Sequence, residues 1–393
     1  MKKGWIETKL EDVCGFQNGF AFKSSTFKPS GVPIIRISNI QDDSIDTGNR
    51  LVFFDPKDYP ENLDRYRVLE GDLLIAMSGA TTGKIGFNTE DTVFYLNQRV
   101  GKFEPGANLN KRFLYHFLSM NVEENLRISA GAAQPNLSTE QIKGFAIPLP
   151  PLAEQQRIVG LLDEAFKGLA TAKANAEKNL QNARALFESH LQSVFTQRGP
   201  GWVEKRFDEV CAITSTLVDP RKKKFLDLTH VGAGNIESKT GVFVYLKTAR
   251  EEGLISGKFL FDESMVLYSK IRPYLMKVAR PDFDGLCSAD MYPLAPIPNV
   301  VTRDYLFHLL LSKHFTDYAI QGSARAGMPK VNREHLFEFR VWLPDVKKQK
   351  QLAANLDALS EQTHHLARLY EQKLVALEAL KKSLLHQAFT GAL

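Results

Sequence analysis

The stretch IPLPPLAEQQRIVGLLD, residues 147–163, sets three prolines within four positions directly against a long helical pattern. A related stretch, VWLPDVKKQKQLAANLD, occupies residues 341–357 with the single proline Pro344. Proline keeps the residue before it out of the α region, so Pro148 and Pro150 predict extended backbone. A proline in the first helical turn lacks only an N–H that would have no partner there, and Glu154 suits the positive end of a helix. Each stretch therefore reads as a stiff elbow between a strand and a helix.

Two elbows point to an internal repeat, and the chain carries one. GWIETKLEDVC from Gly4 returns as GWVEKRFDEVC from Gly201, and SNI at 38–40 as GNI at 234–236. LLIAMS ending at Ser78 resembles MVLYS ending at Ser269, and Pro105 falls opposite Pro296. Pro135 pairs with Pro329, Pro150 with Pro344, Asp163 with Asp357, and Phe195–Thr196 with Phe389–Thr390, all at one shift. The shift drifts in the earlier part of each half and is constant in the later part. Each half is thus a variable module followed by a segment of fixed length. The boundaries expected are domain 1 at 1–150, helix 1 at 151–198, domain 2 at 199–344 and helix 2 at 345–393.

Within the variable modules, short apolar runs such as VPIIRI, DLLIAM, FAIPL, MVLYSKI and FEFRVWL are bounded by Gly, Pro, Asn and Ser and predict strands. NKRFLYHFLSMNVEENL and TRDYLFHLLLSKHFTDYAI have helical spacing. The fold class expected is α+β: two pseudo-repeated domains separated and joined by two long antiparallel helices. In the first helix the small or apolar positions are Leu162, Ala165, Leu169, Ala172, Ala176, Leu180, Ala183, Phe187, Leu191 and Val194. In the second they are Leu352, Leu356, Leu359, Thr363, Leu366, Tyr370, Leu374, Leu377, Leu384 or Leu385, and Ala388. Steps of four and three make a coiled-coil seam, with a stutter expected at Ala172–Ala176–Leu180 and at Leu366–Tyr370–Leu374. A helix of ~40 residues spans ~60 Å, too long for one such domain to cover, so the two helices are expected to pack on each other.

Composition narrows the function classes. The 393 residues carry a net charge of +5, which permits a polyanionic partner without demanding one. No apolar run approaches the ~18 residues of a membrane span, so a cytoplasmic protein is expected. Cys14, Cys211 and Cys287 form no CxxC pair and read as reduced, buried thiols. The block RKKK at 221–224 fits a solvated loop and a phosphate contact equally well. GATTGKIG at 79–86 has only three residues between Gly79 and Gly83, and Ile85 follows Lys84, so it is no nucleotide-binding P-loop. It is expected to be a hairpin. No GxGxxG, HExxH or GxSxG occurs, and no Asn/Asp-Pro-Pro-aromatic tetrapeptide. His364 and His365 are helix neighbours that cannot both face one metal, and the carboxylates of PDFDG at 281–285 are too ordinary to mark a nuclease. The chain is expected to catalyse nothing alone.

Three blocks in order, QNGFAFKSSTFKPSGVPIIRISNI (17–40), LEGDLLIAMSGATTGKIG (69–86) and the first elbow, resemble the specificity subunit (HsdS) of type I restriction–modification enzymes. The resemblance covers essentially the whole chain. The second domain departs from it, with KIRPYLMK (270–277) in place of GATTGK and an elbow without the paired prolines or the EQ pair. The family implies that each domain grips one half of a split double-stranded DNA target in the major groove, where every base pair shows a distinct donor and acceptor pattern. It implies that the helices space the half-sites. Methyltransferase subunits, which bind S-adenosylmethionine, methylate adenine, and restriction subunits supply nuclease and translocase activity with ATP and Mg2+. No cofactor belongs to this chain.

The DNA contacts expected in the first domain are Lys23, Ser24, Arg36, Asn39, Ser78, Thr81, Thr82, Lys84 and Arg99. In the second they are Arg221, Lys222, Lys223, Asn235, Lys270, Arg272, Tyr274, Arg325 and Lys330. Arg and Asn suit bidentate reading of guanine and adenine, and Lys suits phosphate. Asn39 and Asn235 have an alternative role as caps of a turn or helix. Two other readings compete: a coiled-coil scaffold that ignores DNA, and a single-chain nuclease.

Overall fold

The structure, a computed structural model, describes residues 2, 4–41, 43–48, 51–120, 136–323 and 329–393. Arg325, Pro135 and the part of the expected helical stretch beyond residue 120 lie outside those residues. The chain divides into two compact units, Met1–Asn175 with Lys373–Leu393, and Ala176–Gln372.

In the first unit, Ile6–Lys9 pairs antiparallel with Ala146–Leu149, the strand that leads into the first elbow. Ile147 and Leu149 alternate into the core, and Pro148 is tolerated because a two-stranded ribbon has only edges. A five-stranded sheet runs in the order Cys14–Asn18, Val100–Pro105, Leu73–Ala76, Ile85–Phe87 and Asp43–Ser44. A four-stranded sheet follows the order Val52–Phe54, Val32–Ile35, Phe94–Leu96 and Arg67–Val68. The helix Lys111–Met120 buries Phe113, Leu114, Phe117 and Leu118 on one face. Its Phe113 and Phe117 rings lie 5.0 and 5.5 Å from Phe389, near the end of the second long helix.

The second unit repeats this plan. Val203–Arg206 pairs with Arg340–Leu343 before the second elbow. Cys211–Ala212, Met291–Pro296, Val266–Ser269 and Val278–Ala279 keep the order of the first four strands of the larger sheet in the first unit. The other sheet keeps its order too, extended by the strand Leu217–Val218. Arg303–Leu311 is the counterpart of the domain helix, capped by the Thr302 hydroxyl.

Each long helix has 45 residues, Leu152–Thr196 and Val346–Thr390. In the first unit the ion pair Lys173–Glu378 at 2.6 Å and the bond from Arg157 to the Leu393 carbonyl at 2.8 Å set the helices antiparallel. In the second unit Arg184–Glu371 at 2.8 Å and the shared core of Leu191 and Leu356 do the same. The seam residues of the first helix are all buried or half-buried. In the second helix one differs: Leu366 is 40 % exposed and Ala367 takes its place. The consecutive steps of four therefore fall at Leu359–Thr363–Ala367, two turns earlier than the apolar pattern implies, because burial follows the facing of Ala367 and not the size of Leu366.

The second elbow also keeps more than its sequence promised. Gln155 is fully buried; its Nε2 donates to the carbonyls of Asn108 (2.9 Å) and Pro150 (2.8 Å), and its Oε1 accepts from the Asn110 N–H (2.8 Å). Gln349, also fully buried, donates to Val300 (2.9 Å) and Pro344 (2.9 Å) and accepts from Thr302 (2.9 Å). Only the glutamate of the EQ pair is lost; the glutamine clamp is intact. Asp345 caps the second helix by accepting from the Lys348 N–H at 2.8 Å, where the first copy has Pro151.

Candidate nucleic-acid interface

Each domain builds its loops on the same frame. In the first, the 3-10 turn Ile37–Asn39 is closed by Asn39, whose Oδ1 accepts from the Arg36 N–H (2.9 Å) while its Nδ2 donates to the Asp46 carbonyl (3.0 Å). Facing it is the tip of the hairpin between Leu73–Ala76 and Ile85–Phe87, a second 3-10 turn at Gly79–Thr81. Gly79 and Gly83 bracket this tip with φ of +79° and +83°, a left-handed backbone that glycine adopts without a Cβ clash. The Thr81 hydroxyl donates to the Ile37 carbonyl at 2.9 Å and ties the two turns together.

In the second domain Asn235 closes the turn Ala233–Asn235 in the same way, accepting from the Gly232 N–H at 2.9 Å. Its Nδ2 donates to the carbonyls of Val244 (3.2 Å) and Tyr245 (3.1 Å). The hairpin between Val266–Ser269 and Val278–Ala279 carries the turn Pro273–Leu275 at its tip. Arg272 and Met276 bracket it with φ of +50° and +48°. The Lys277 ammonium donates to the Ala233 carbonyl at 2.6 Å, again tying turn to turn. Where the first copy uses two glycines, the second holds an arginine and a methionine in a conformation that disfavours L side chains by roughly 1–2 kcal/mol each.

Segments arriving from elsewhere in each domain complete the frame. Ser78 bridges to Asn136, and the Arg99 carbonyl accepts from the Met77 N–H at 2.9 Å, so Arg99, which is exposed, stands beside the hairpin. Ile271 bridges to Lys330, and the Arg272 N–H donates to the Pro329 carbonyl at 2.9 Å. Arg36, Ser78, Thr81, Lys84 and Arg99 are thereby gathered in the first domain. Asn235, Lys270, Arg272, Tyr274 and Lys330 are gathered in the second.

The second cluster is cationic at its base. Lys270 donates to the Ala289 carbonyl, and its pKa is pushed down by burial first and then by the charge of Lys330, with Arg333 adding to the effect. Arg333, 6.0 Å from the Tyr292 ring, belongs to this group and was not anticipated. The signal for it lay in VNREHL, where Asn332 caps a helix and turns the next residue outward. Tyr245 was missed as well: it is 89 % exposed with φ of +52°, its carbonyl held by Asn235.

Some expected contacts have other work. Asn39 and Thr82 are 0 % and 2 % exposed, and Thr82 donates to the Gly79 carbonyl at 2.6 Å; buried, they shape the loops. The Asn235 side chain is likewise engaged with backbone. Lys23 and Ser24 stand on a different support, the turn Ser24–Thr26, where the Lys23 N–H donates to the Tyr59 hydroxyl at 3.1 Å. Arg221 grips Asp219 through two nitrogens at 2.9 Å, which holds that carboxyl down at about 2 and offsets the arginine's charge. Of the RKKK block, Lys222 and Lys223 are exposed beside it. Among the described residues no group of His, Cys, Asp and Glu is arranged to hold a metal, and no helix is long and apolar enough to cross a membrane.

Two copies of one α+β domain, each joined to long antiparallel helices and each presenting one loop frame with different side chains, define a protein with two recognition domains. The chain belongs to the type I restriction modification DNA specificity domain family, whose model matches residues 2–180 and again 200–374. It is 28% identical over 333 residues to the type I restriction enzyme EcoDI specificity subunit of Escherichia coli, covering 76% of this chain and 74% of that protein. It is 23% identical over 423 residues to the EcoBI specificity subunit of Escherichia coli, covering 99% and 86%. Its fold is similar to that of the HsdS subunit from Thermoanaerobacter tengcongensis, with a TM-score of 0.61 at 19% identity over 100% and 98% of the two chains. It is also similar in fold to a chain from a structure of type I R-M complex assembly and conformational transition, with a TM-score of 0.73 at 18% identity over 98% of each.

Proposed function

We propose that this chain is the DNA-recognition subunit of a type I restriction–modification complex, non-catalytic itself, in which each domain reads one half of a bipartite duplex target. The observation that carries the reading is the duplicated loop frame: one backbone arrangement, two unrelated sets of side chains. A scaffold indifferent to DNA gives no reason to hold Arg272 and Met276 in a strained backbone at the tip of a cationic loop. In this reading Arg36, Ser78, Thr81, Lys84 and Arg99 face one half-site, with Lys23 and Ser24 at its edge. Lys270, Arg272, Tyr274, Lys330 and Arg333 face the other, flanked by Lys222 and Lys223.

Methyltransferase subunits dock on the chain and methylate adenine with S-adenosylmethionine, the target base being flipped into their pocket. Restriction subunits complete the complex in the cytoplasm. The test is expression with the methyltransferase partner followed by genome-wide mapping of methylated adenine. A split motif with a fixed gap is expected; methylation of one short continuous site would overturn the reading. Duplex binding by the complex should also weaken steeply as salt rises, whereas the scaffold alternative binds no duplex at all.

A further inference from the structure

At the root of each domain, where it meets its long helix, lies a half-buried charged network built around a buried histidine, which loop recognition does not use. In the first repeat His116, 1 % exposed, bonds through Nε2 to Asp163 of the long helix at 2.8 Å. Arg112, one turn earlier on the domain helix, donates from Nε to Asp163 at 3.1 Å and from Nη1 to Asp43 at 2.6 Å. In the second repeat His308, also 1 % exposed, bonds through Nε2 to Asp357 at 2.8 Å. There Arg280 donates to Asp357 at 2.7 and 3.1 Å and to Asp304 at 2.8 Å.

The two networks match in composition and place, but the guanidinium comes from a different element. His116 aligns with His308, so the helix position of Arg112 is held in the second repeat by Asp304. Leu73 faces Phe87 across the first hairpin, and the counterpart of Phe87 in the second hairpin is Arg280. The guanidinium nevertheless arrives at one spot. Arg112 lies 4.6 Å over the Tyr115 ring and 5.3 Å over Phe87, while Arg280 lies 4.2 Å over Phe307, the counterpart of Tyr115. Each repeat is a compensated double exchange of the other. A fold needing only a filled core at this position would have no reason to restore the same fork of charge from a second element.

We propose that Arg112–His116–Asp163 and Arg280–His308–Asp357 are positioning latches that set the angle between each recognition domain and its helix, and so determine which gap between half-sites is accepted. The gap follows from the proposed DNA-recognition function; the latch itself rests on the geometry alone.

The test uses the full chain with its methyltransferase partner. Arg112→Asp gathers three carboxylates without a cation, and adding Phe87→Arg returns a guanidinium from the hairpin position that Arg280 holds in the second repeat, with Asp43 kept as a third acid. The single variant should keep the half-site bases but raise methylation at gaps one base pair longer or shorter by about tenfold, the factor that roughly 1.4 kcal/mol of lost discrimination produces. The double variant should return to the wild-type gap. Arg112→Gln, without the added negative charge, replaces the single variant if that chain does not fold. The thermal midpoint of the purified chain supplies a readout free of DNA: it should fall in the single variant and recover in the double. A single variant confined to the wild-type gap at the wild-type rate, or a double variant less stable than the single, overturns the latch. If the wild-type complex methylates no split motif, the proposed function fails, and the thermal rescue still decides the latch.

Discussion

Replacing Gln155 by leucine removes three hydrogen bonds from a site that no solvent reaches. The carbonyls of Asn108 and Pro150 lose a donor and the Asn110 N–H loses its acceptor, at distances of 2.8–2.9 Å. An orphaned buried polar group costs about 1–3 kcal/mol. Partial relaxation and the apolar gain of leucine offset part of that, so a net loss of about 2–4 kcal/mol is expected. Gln349→Leu removes the same three bonds in the second repeat, so its loss should agree within about 1 kcal/mol. Urea unfolding separates the two sites because their reporters differ. Trp5 lies in the core of the first unit, while Trp202 and Trp342 lie in the second. In a Trp202→Phe, Trp342→Phe background, fluorescence follows the first unit alone. With a slope near ~2–3 kcal/mol/M, Gln155→Leu should lower the midpoint by about 1 M. A shift below about 0.2 M at unchanged slope would mean that the clamp is ornamental and that the proline elbow alone fixes the junction.

Burial lowers the pKa of both His116 and His308, against the opposing pull of Asp163 and Asp357. Their folded pKa values lie below the unfolded ~6.5, so the native state binds fewer protons and stability is complete above that pH. It should decline as pH falls below ~6.5; His116→Gln and His308→Gln should each flatten the fall in the urea midpoint between about pH 6.5 and 5. Burial acts to raise the Asp357 pKa, but bonds from His308 and Arg280 carry it well below the carboxylate range, so its own contribution is lost only at lower pH. Arg272→Gly relieves a left-handed arginine and should raise stability by up to about 1 kcal/mol while weakening duplex binding by the complex. If binding is unchanged, that loop does not touch DNA. Lys330→Ala and Arg333→Ala should each reduce the slope of log K against log salt by roughly 0.9 if they contact phosphate.

The repeat, the elbows and the helix seams were legible because they rest on spacing: prolines at fixed offsets and apolar steps of four and three. Seam register failed at Leu366 and Ala367, where hydrophobicity favours one residue and the partner helix selects the other. Loop chemistry was less legible. An asparagine after an isoleucine-rich strand suits a turn cap and a base contact equally, and only burial assigns Asn39 to the turn. The left-handed backbone at Gly79 and Gly83 has a compositional sign; the same backbone at Arg272 and Met276 has none. The charged networks at the domain roots were invisible, since matching the repeats position by position sets Arg112 against Asp304 and finds no likeness.

The pairing of Ile6–Lys9 with Ala146–Leu149, and of Val203–Arg206 with Arg340–Leu343, brings the beginning and end of each domain side by side. Everything between those strands is a closed excursion of the chain. A domain can therefore gain or lose residues, or be exchanged for another of different ancestry, without moving the point where its helix begins. The drifting and constant shifts between the halves are the trace of that arrangement: change has accumulated inside the excursion and has been shut out of the ruler that follows it.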